Sequence, residues 1–274
     1  MPGVFKKSLK SVLHRAGLSN LGQQIYFNAR TARPSVLKKE LLLRTKGAPD
    51  GYPLPPPALV YDVIACRWGA VFLDSGRRVV DDMEEVLDDN RKPLSSFKSI
   101  LDFGCGCGRL IRQLPARTAA ALYGSDYNGR LVDWCAEHLG FARFSKNELA
   151  PPLPFAEGSF DFIYARSVFT HLPEELQFLW MDEFRRVLQK NGCLYLTMHG
   201  RPLLAGLSVE QLRQFDAGKL VVTYDAVAGE NLCATYGSPA FVETRLSDGF
   251  RILEFIEGRD RPHLRQDIYL FQKC

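Results

Sequence analysis

The chain has 274 residues, of which 46% are hydrophobic and 24% charged, and its formal net charge at pH 7 is +4. This composition is ordinary for a globular protein that can bury a sizeable core. The apolar stretch 57–73 is interrupted by Asp62 and Arg67, which excludes a membrane span, and the N-terminus lacks the apolar core of a signal peptide. We therefore expect a cytoplasmic protein without a transmembrane segment.

The seven cysteines are odd in number, scattered along the chain and without a C-x-x-C pair. They are expected to be mostly buried thiols in a reducing compartment. Cys105 and Cys107 lack two further ligands at a suitable spacing, so no metal site is predicted.

Positive charge is concentrated at the N-terminus. Residues 1–46 carry ten Lys or Arg against Glu40 alone, a local charge of +9 that leaves the remaining chain at −5. Within this arm, 4–18 has the pattern of a basic amphipathic helix, and residues 1–18 could contact an anionic membrane surface or an acidic partner. The alternative is a solvated helix that covers the domain.

The next segments are predicted to be helical. A short helix is expected at 36–43, a connector rich in proline and glycine at 47–57, and two helices at 59–72 and 78–88. We interpret residues 1–98 as a helical arm and lid. Possible acceptor contacts in the lid are Tyr61, Arg67 and Trp68, although core packing is the expected role of Trp68.

From residue 99 the pattern alternates between strand and helix, which is typical of a parallel sheet covered on both faces. Predicted strands are 100–103, 120–124, 142–144, 160–164 and 193–198, with helices at 109–114, 131–139 and 174–189 between them. Asn191-Gly192 is the expected stop of the last of these helices.

After residue 200 the pattern becomes less regular. A helix at 209–215, a strand at 219–225 and an unassigned piece at 241–246 form an acceptor-side insertion at about 200–248. Strands at 250–256 and 267–272 should form an antiparallel hairpin at the edge of the sheet. Residues 99–274 are therefore predicted to be one α/β domain with a doubly wound, mostly parallel seven-stranded sheet.

The stretch 99–109, S-I-L-D-F-G-C-G-C-G-R, is a strand that ends in an acidic residue and a glycine turn. Gly104, Gly106 and Gly108 follow G-x-G-x-G spacing, whereas dinucleotide-binding folds use G-x-G-x-x-G. Asp102 would repel a pyrophosphate but would attract a ligand with an ammonium and a sulfonium group. The turn therefore favours S-adenosylmethionine over a nicotinamide cofactor.

At this stretch the chain resembles the class I S-adenosylmethionine-dependent methyltransferases, which have a Rossmann-like fold. The resemblance continues in L-P-F at 153–155, in E-G-S-F-D at 157–161 and in S-V-F-T-H-L at 167–172, a segment similar to that of bacterial members. It implies S-adenosylmethionine as methyl donor and S-adenosylhomocysteine as product. It also implies cofactor contacts from Asp102, Gly104, Cys105, Gly106 and Gly108.

Further cofactor contacts are expected after the second and third strands. Asp126 should accept hydrogen bonds from the ribose hydroxyls, although it could also cap the following helix. Tyr127 could stack on adenine or ribose. Many relatives have an aspartate for the adenine amino group where this chain offers Asn147 and Glu148, and Asn147 is preferred because its amide can pair with a purine edge.

The end of the fourth strand should border the methionine end of the cofactor, with contacts from Ala165 or Arg166. His171 and His199 are the candidate general bases, since imidazole removes protons near neutral pH. A structural role for His171 is an equal alternative. The chain lacks the N-P-P-Y-like tetrapeptide and the Pro-Cys pair of DNA-base methyltransferases, which disfavours base methylation.

The predicted reaction is direct in-line transfer of a methyl group to oxygen or nitrogen, less readily sulfur, on a small molecule, glycan or peptide natural product. Two alternatives stay open. In the first, the basic arm binds RNA or protein and the chain methylates that partner, although nucleic acid is the less expected partner. In the second, the fold is a non-catalytic scaffold.

Overall fold

The computed structural model describes residues 33–223, 233–258 and 265–274, so the amphipathic segment predicted at 4–18 lies outside the described residues. The chain divides into two compact units, with the boundary between Arg77 and Arg78. The division predicted after residue 98 stays a prediction. Within the described ranges, no helix combines the length and apolarity that crossing a bilayer requires.

The first unit is helical. Helix α1 spans Pro34–Lys46, α2 spans Pro57–Ile64, and α3, Gly69–Asp89, begins in this unit. One helix was predicted across 59–72, but Ala65 adopts a left-handed conformation that ends α2. The carboxylate of Glu40 then accepts a hydrogen bond of 3.0 Å from the Ala70 N–H, which satisfies a donor in the first turn of α3.

The second unit contains a seven-stranded sheet in the order β3-β2-β1-β4-β5-β9-β8. Strands β1 to β5 are parallel, whereas β9 runs antiparallel to both β5 and β8. This arrangement confirms the predicted doubly wound sheet with its antiparallel edge hairpin. The strands are β1 Ser99–Phe103, β2 Ala121–Asp126, β3 Ala142–Lys146, β4 Phe160–Ala165, β5 Leu188–Met198, β8 Phe250–Ile256 and β9 Asp267–Lys273.

Helices cover both faces of the sheet. On one face, the part of α3 that follows Arg78 packs Met83 and Val86 into a core with Ile100 and Phe162. On the other face lies α5, Glu174–Val187, whose Trp180 joins a second core. Helix α4, Gly129–His138, connects β2 to β3, and helix α6 spans Val209–Asp216.

The insertion after β5 forms a small sheet of its own. Strands β6, Val221–Thr223, and β7, Ala234–Tyr236, pair antiparallel, and residues 224–232 between them lie outside the described residues. The piece at 241–246, unassigned from the sequence, is helical: a turn at Pro239–Phe241 continues into a π-helical turn at Val242–Leu246.

Two further predicted helices differ from the structure. The helix expected at 109–114 is a 3-10 turn, Ile111–Gln113, because Pro115 disfavours helical geometry at the residue before it and leaves too few residues for an α-helix. Helix α5 ends at Val187 rather than 189 because Leu188 already pairs with Phe160 of β4.

Candidate cofactor and acceptor site

The glycine turn follows β1 at the carboxyl edge of the sheet. Gly104, Gly106 and Gly108 all have positive φ angles, of 75°, 54° and 79°. A Cβ atom at Gly104 would lie 2.3 Å from Val168 Cγ2, and one at Gly108 would lie 2.4 Å from Leu139 Cδ1. Gly104 and Gly108 are therefore required by the backbone conformation and by the packing of neighbouring side chains, even without a ligand.

Cys105 contributes to this turn through its backbone. Its N–H and that of Gly104 donate to the Ser125 carbonyl oxygen at 3.0 and 2.7 Å, which ties the turn to β2. Its thiol is buried and lies 3.6 Å from the Gly106 oxygen, which Cys135 also approaches. The hydrogen bond with Cys135 and burial raise the pKa of the Cys105 thiol, so this side chain is a neutral part of the interior.

Asp126 at the end of β2 is oriented by the backbone. Its carboxylate accepts hydrogen bonds from the N–H groups of Gly106, at 2.8 Å, and Asn128, at 2.9 Å. Burial raises the pKa of Asp126, and these N–H groups oppose that effect. A carboxylate has about four acceptor sites, so these N–H groups leave capacity for a ribose hydroxyl. The residue that caps α4 is Asn128, whose side chain accepts from the Arg130 N–H.

Asp102 at the end of β1 is 2% exposed. Burial raises the pKa of its carboxyl to about 7, while the Tyr164 hydroxyl and the Arg109 charge lower it. Its Oδ2 atom is enclosed and has no hydrogen-bond partner in the described part of the chain. An ammonium group is a fitting partner for this atom because it would restore the ionised carboxylate.

The predicted adenine contacts lie after β3. Asn147 is buried, accepts a hydrogen bond of 2.7 Å from the Ser125 hydroxyl and donates one of 2.7 Å to the Glu148 carbonyl oxygen. Glu148 is exposed and pairs with Lys146 at 3.3 Å. Tyr127 is 41% exposed. Asn147 therefore links β2 to the segment after β3 and has one N–H left that could bind a purine. The contact of Asn147, Glu148 and Tyr127 with adenine stays a prediction.

The end of β4 carries Ala165, which is fully buried, and Arg166. Arg166 Nη1 donates to the Ser167 hydroxyl and to the side-chain oxygen of Gln266. Gln266 also accepts from the hydroxyls of Ser167, at 3.0 Å, and Thr197, at 2.9 Å. This network joins the loop before β9 to the ends of β4 and β5.

Four residues near these side chains were not predicted from the sequence: Arg109, Tyr164, Thr197 and Gln266. Asp102 and Tyr164 occupy paired positions on neighbouring strands, so their side chains lie on the same face of the sheet. A polar tyrosine in the middle of the apolar strand β4 was the available signal, because a buried hydroxyl needs a partner.

His171 and His199, the candidate bases, are brought together by β7. His171 Nδ1 lies 2.6 Å from the Cys233 carbonyl oxygen, His199 Nδ1 lies 3.1 Å from the Thr235 carbonyl oxygen, and the ring centroids are 6.3 Å apart. Burial lowers the pKa of both imidazoles, and the neighbouring His171 helps to lower that of His199 to about 4. Both rings are thus neutral at pH 7.

A carbonyl oxygen only accepts, so Nδ1 must carry the proton in both rings, and each Nε2 retains a lone pair. The hydrogen bond from the Thr235 hydroxyl to the Phe169 carbonyl oxygen, at 2.7 Å, fixes the turn that holds His171 against β7.

Tyr61, Arg67 and Trp68 belong to the first unit, where the Arg67 guanidinium lies 5.7 Å from the centre of the Tyr61 ring. Trp68 Nε1 is buried, with no hydrogen-bond partner in the described ranges. Their contact with an acceptor stays a prediction. Among the described residues, no three His, Cys, Asp or Glu side chains lie close enough to hold a metal ion, and six of the seven cysteines are buried thiols that form no disulfide.

Part of this chain is similar to known methyltransferases. The family model described as "Methyltransferase domain" matches residues 101–196, from β1 into β5. Methyltransferase GfsG of Streptomyces halstedii is 29% identical over 126 residues, which are 44% of this chain and 43% of that protein. The chain therefore spans less than half the length of this curated relative.

Two solved structures have the same fold. The PH0226 protein from Pyrococcus horikoshii OT3 is 15% identical, with a TM-score of 0.53 over 74% of this chain and 95% of that one. An S-adenosylmethionine-dependent methyltransferase from Mesorhizobium loti is 14% identical, with a TM-score of 0.51 over 69% of this chain and 96% of that one. Residues 101–196 of this chain thus match a methyltransferase domain, and the seven-stranded sheet has the fold of these two structures.

Proposed function

We propose that the chain transfers a methyl group from S-adenosylmethionine to an oxygen or nitrogen atom, less readily sulfur, of a small molecule, glycan or peptide natural product. The observation that carries this proposal is the pair of buried carboxylates, Asp102 and Asp126, at the ends of adjacent strands on either side of the glycine turn. An ammonium group at Asp102 and ribose hydroxyls at Asp126 would complement these two carboxylates.

When bound, S-adenosylmethionine supplies a methyl group that its sulfonium already activates. The chain's part is alignment: Asp102 holds the ammonium group, and Asp126 holds the ribose hydroxyls with the acceptor sites that Gly106 and Asn128 leave open. Correct alignment alone is worth effective molarities on the order of 10⁵ M or more. Transfer is in-line and needs no covalent enzyme intermediate.

His171 and His199 are proposed to remove the acceptor's proton. The carbonyl oxygens of Cys233 and Thr235 hold Nδ1–H in both rings, so Nε2 is the basic atom. A neutral imidazole accepts the proton of a hydroxyl or amine as the acceptor attacks the methyl group, which adds roughly 10²-fold or more to the rate for an alcohol. Release to water of the proton on Nε2 then restores the base.

The alternative acceptors, RNA or protein, depend on the basic arm. Two of its described cations are already paired within the first unit: Lys39 lies 2.6 Å from Asp74, and Arg44 lies 3.8 Å from Glu40. Such pairs leave less free charge for phosphates, which supports the small-molecule acceptor. RNA binding that weakens with rising salt and disappears on deletion of residues 1–46 would support the RNA acceptor instead.

Calorimetry with S-adenosylmethionine and S-adenosylhomocysteine tests the proposal. Wild type should bind both ligands, and Asp102→Ala combined with Asp126→Ala should abolish binding. Absence of binding by wild type, or unchanged binding by the double variant, would overturn the cofactor assignment. Incubation with methyl-labelled cofactor and fractionated host extract then identifies the acceptor by mass spectrometry, and any labelled product excludes a non-catalytic scaffold.

A further inference from the structure

His171 and His199 lie side by side along one edge of strand β7. Their Nδ1 atoms bond the carbonyl oxygens of Cys233, at 2.6 Å, and Thr235, at 3.1 Å. Backbone groups of an extended chain alternate in direction, so carbonyl groups two positions apart point to the same side. Both imidazole rings are therefore anchored to β7 through the same kind of bond.

The second nitrogen of each ring, Nε2, is left for a ligand. The two ring centroids lie 6.3 Å apart and the ring planes are nearly perpendicular, at 86°. Among residues 33–223, 233–258 and 265–274, neither Nε2 atom has a hydrogen-bond partner, and both rings are partly exposed. The pair therefore offers two neighbouring acceptor atoms to a bound molecule.

The surroundings of the pair favour a neutral ligand. Both rings are neutral at pH 7 because burial lowers their pKa, and the charge of Arg166 also lowers the pKa of His199. That guanidinium would repel a protonated amine but not a hydroxyl group. The ring of Tyr236, whose centroid lies 5.2 Å from that of His199, adds an aromatic wall against which C–H groups can pack.

Two acceptor atoms require two donor hydrogens, and a single hydroxyl group carries one. An O–H···N bond is about 2.8 Å long and hydroxyl oxygens on neighbouring carbons are about 3 Å apart, so a vicinal diol joins nitrogen atoms about 5–8 Å apart. The separation of 6.3 Å between the ring centroids falls in this range. An isolated hydroxyl would leave one Nε2 lone pair without a donor.

The two rings differ in basicity. Burial lowers the pKa of both, and at His199 the neighbouring His171 ring and the Arg166 guanidinium lower it further, to about 4. His171 is therefore the ring better suited to take a proton. His199 is the ring better suited to accept a hydrogen bond without becoming protonated.

We propose that the acceptor is a vicinal diol, in which His171 binds the hydroxyl that becomes methylated and His199 binds the hydroxyl on the neighbouring carbon. The proposal rests on the proposed function and narrows its acceptor to polyhydroxylated molecules such as sugars and polyols.

The step balances with the groups already named. The attacking oxygen forms its bond to the methyl carbon as the carbon–sulfur bond breaks, and the electron pair of that bond stays on sulfur. The hydroxyl proton passes to His171 Nε2 and from there to water. The product is a monomethyl ether that keeps the neighbouring hydroxyl, which His199 holds.

Periodate tests this proposal on the full chain, because it cleaves vicinal diols but neither isolated alcohols nor 1,3-diols. Host extract is treated with periodate, quenched with sulfite and incubated with the chain and methyl-labelled S-adenosylmethionine. Labelling should fall about tenfold or more relative to mock-treated extract. Untreated extract added afterwards should restore it, which shows that chain and cofactor are intact. Tandem mass spectrometry should place the labelled methoxy group next to a free hydroxyl.

Substitutions separate the two histidines. His199→Phe should lower labelling about tenfold, because it removes the acceptor atom. His199→Gln should retain more, since its amide oxygen accepts a hydrogen bond. His171→Phe and His171→Gln should both lower labelling about 100-fold, because neither side chain takes a proton. The matched control is His138→Phe on α4, where His138 Nδ1 likewise lies 2.9 Å from a backbone carbonyl oxygen, that of Trp134. It should label as wild type does.

Calorimetry with the isolated, unmethylated acceptor gives a readout without turnover. With S-adenosylhomocysteine present, His199→Phe should bind this acceptor about tenfold more weakly than wild type. His138→Phe should bind it as wild type does. His199→Phe should still bind S-adenosylhomocysteine itself, which shows that the variant is folded.

Undiminished labelling after periodate treatment would overturn this proposal and leave methyl transfer in place. A labelled amine, RNA or protein side chain, or an ether without a neighbouring hydroxyl, would do the same. Equal acceptor binding by wild type and His199→Phe would also overturn it. If wild type labelled nothing in any fraction, the proposed function and this inference would both be wrong. The periodate comparison needs no variant, so it decides the question even if a substitution prevents folding.

Discussion

At the scale of single residues, Asp102 is the proposed partner of the cofactor's ammonium group. It lies at the end of a buried strand, where desolvation disfavours the carboxylate and raises its pKa to about 7. Without ligand it is therefore about half protonated at neutral pH. An ammonium group brought within hydrogen-bond distance reverses this balance, so binding and ionisation are coupled.

The affinity for S-adenosylhomocysteine should consequently depend on pH. The ammonium requires the ionised carboxylate, which is the minor form below pH 7 and the major form above it. We expect affinity about tenfold lower at pH 6 than at pH 8, with a plateau above pH 8. Calorimetry across this range measures the effect. Asp102→Asn should bind weakly at every pH, and a flat wild-type profile would contradict the coupling.

The imidazole rings of His171 and His199 should remain neutral at the pH where a free imidazole becomes protonated. Burial and the neighbouring ring bring the pKa of His199 to about 4, and burial also lowers that of His171. In ¹⁵N NMR spectra, the His199 ring should show the Nδ1–H tautomer from pH 8 down to about pH 5.5, and the His171 ring should titrate below the pH at which a free imidazole does. The variants His171→Gln and His199→Gln assign the signals. Protonation of either ring near pH 6.5 would contradict the neutral-base assignment.

At the scale of elements, the glycine turn serves structure first. Gly104 has a positive φ and lies where a Cβ atom would overlap Val168, the residue that follows Ser167 after β4. The turn is therefore locked between β2, through the Ser125 carbonyl oxygen, and the segment after β4. The turn therefore has this shape before any ligand binds. For that reason the glycine motif in the sequence also indicates where the proposed cofactor site lies.

Gly104→Ala should thus destabilise the protein in the absence of ligand. The left-handed backbone costs about 1–2 kcal/mol for alanine, and overlap with Val168 costs about 1–3 kcal/mol more. We expect the thermal midpoint to fall by on the order of 10 °C. Scanning calorimetry measures this change.

The double variant Gly104→Ala with Val168→Ala separates the two costs. It relieves the overlap but keeps the backbone strain, so it should recover part of the lost stability relative to Gly104→Ala. Val168→Ala alone is the control for the removed methyl groups. No recovery in the double variant would mean that the overlap relaxes without cost.

Strands and the cofactor loop could be predicted from the sequence because their signals are local. Short apolar runs bounded by glycine located β1, β4 and β5. The end of α2 at Ala65 could not be predicted, since neither glycine nor proline marks it. The bond between Arg166 and Gln266 joins residues 100 positions apart, and only the antiparallel return of β9 beside β5 brings them together.

At the scale of the whole molecule, the sheet collects the site from distant segments. Asp102, Tyr164 and Tyr195 are register partners across β1, β4 and β5, so one row of the sheet places a carboxylate and two hydroxyls on the same face. The histidines follow β4 and β5 of this sheet, and the carbonyl oxygens of Cys233 and Thr235, at β7 of the small sheet, orient their rings. The proposed acceptor side therefore depends on the small sheet as well as on the main sheet, whereas the proposed cofactor side depends on the main sheet.

Ligand binding should stabilise the fold selectively. A ligand at about 100 times its dissociation constant stabilises the native state by about 2.7 kcal/mol, equivalent to about 5–10 °C in a domain of this size. S-adenosylhomocysteine should produce such a shift, and NADH should produce none, because its pyrophosphate would meet the carboxylate of Asp102. His199→Gln should retain the full shift, since that ring is assigned to the acceptor side, whereas Asp102→Asn combined with Asp126→Asn should lose it. An equal shift with NADH would contradict the assignment of the glycine turn to a sulfonium cofactor.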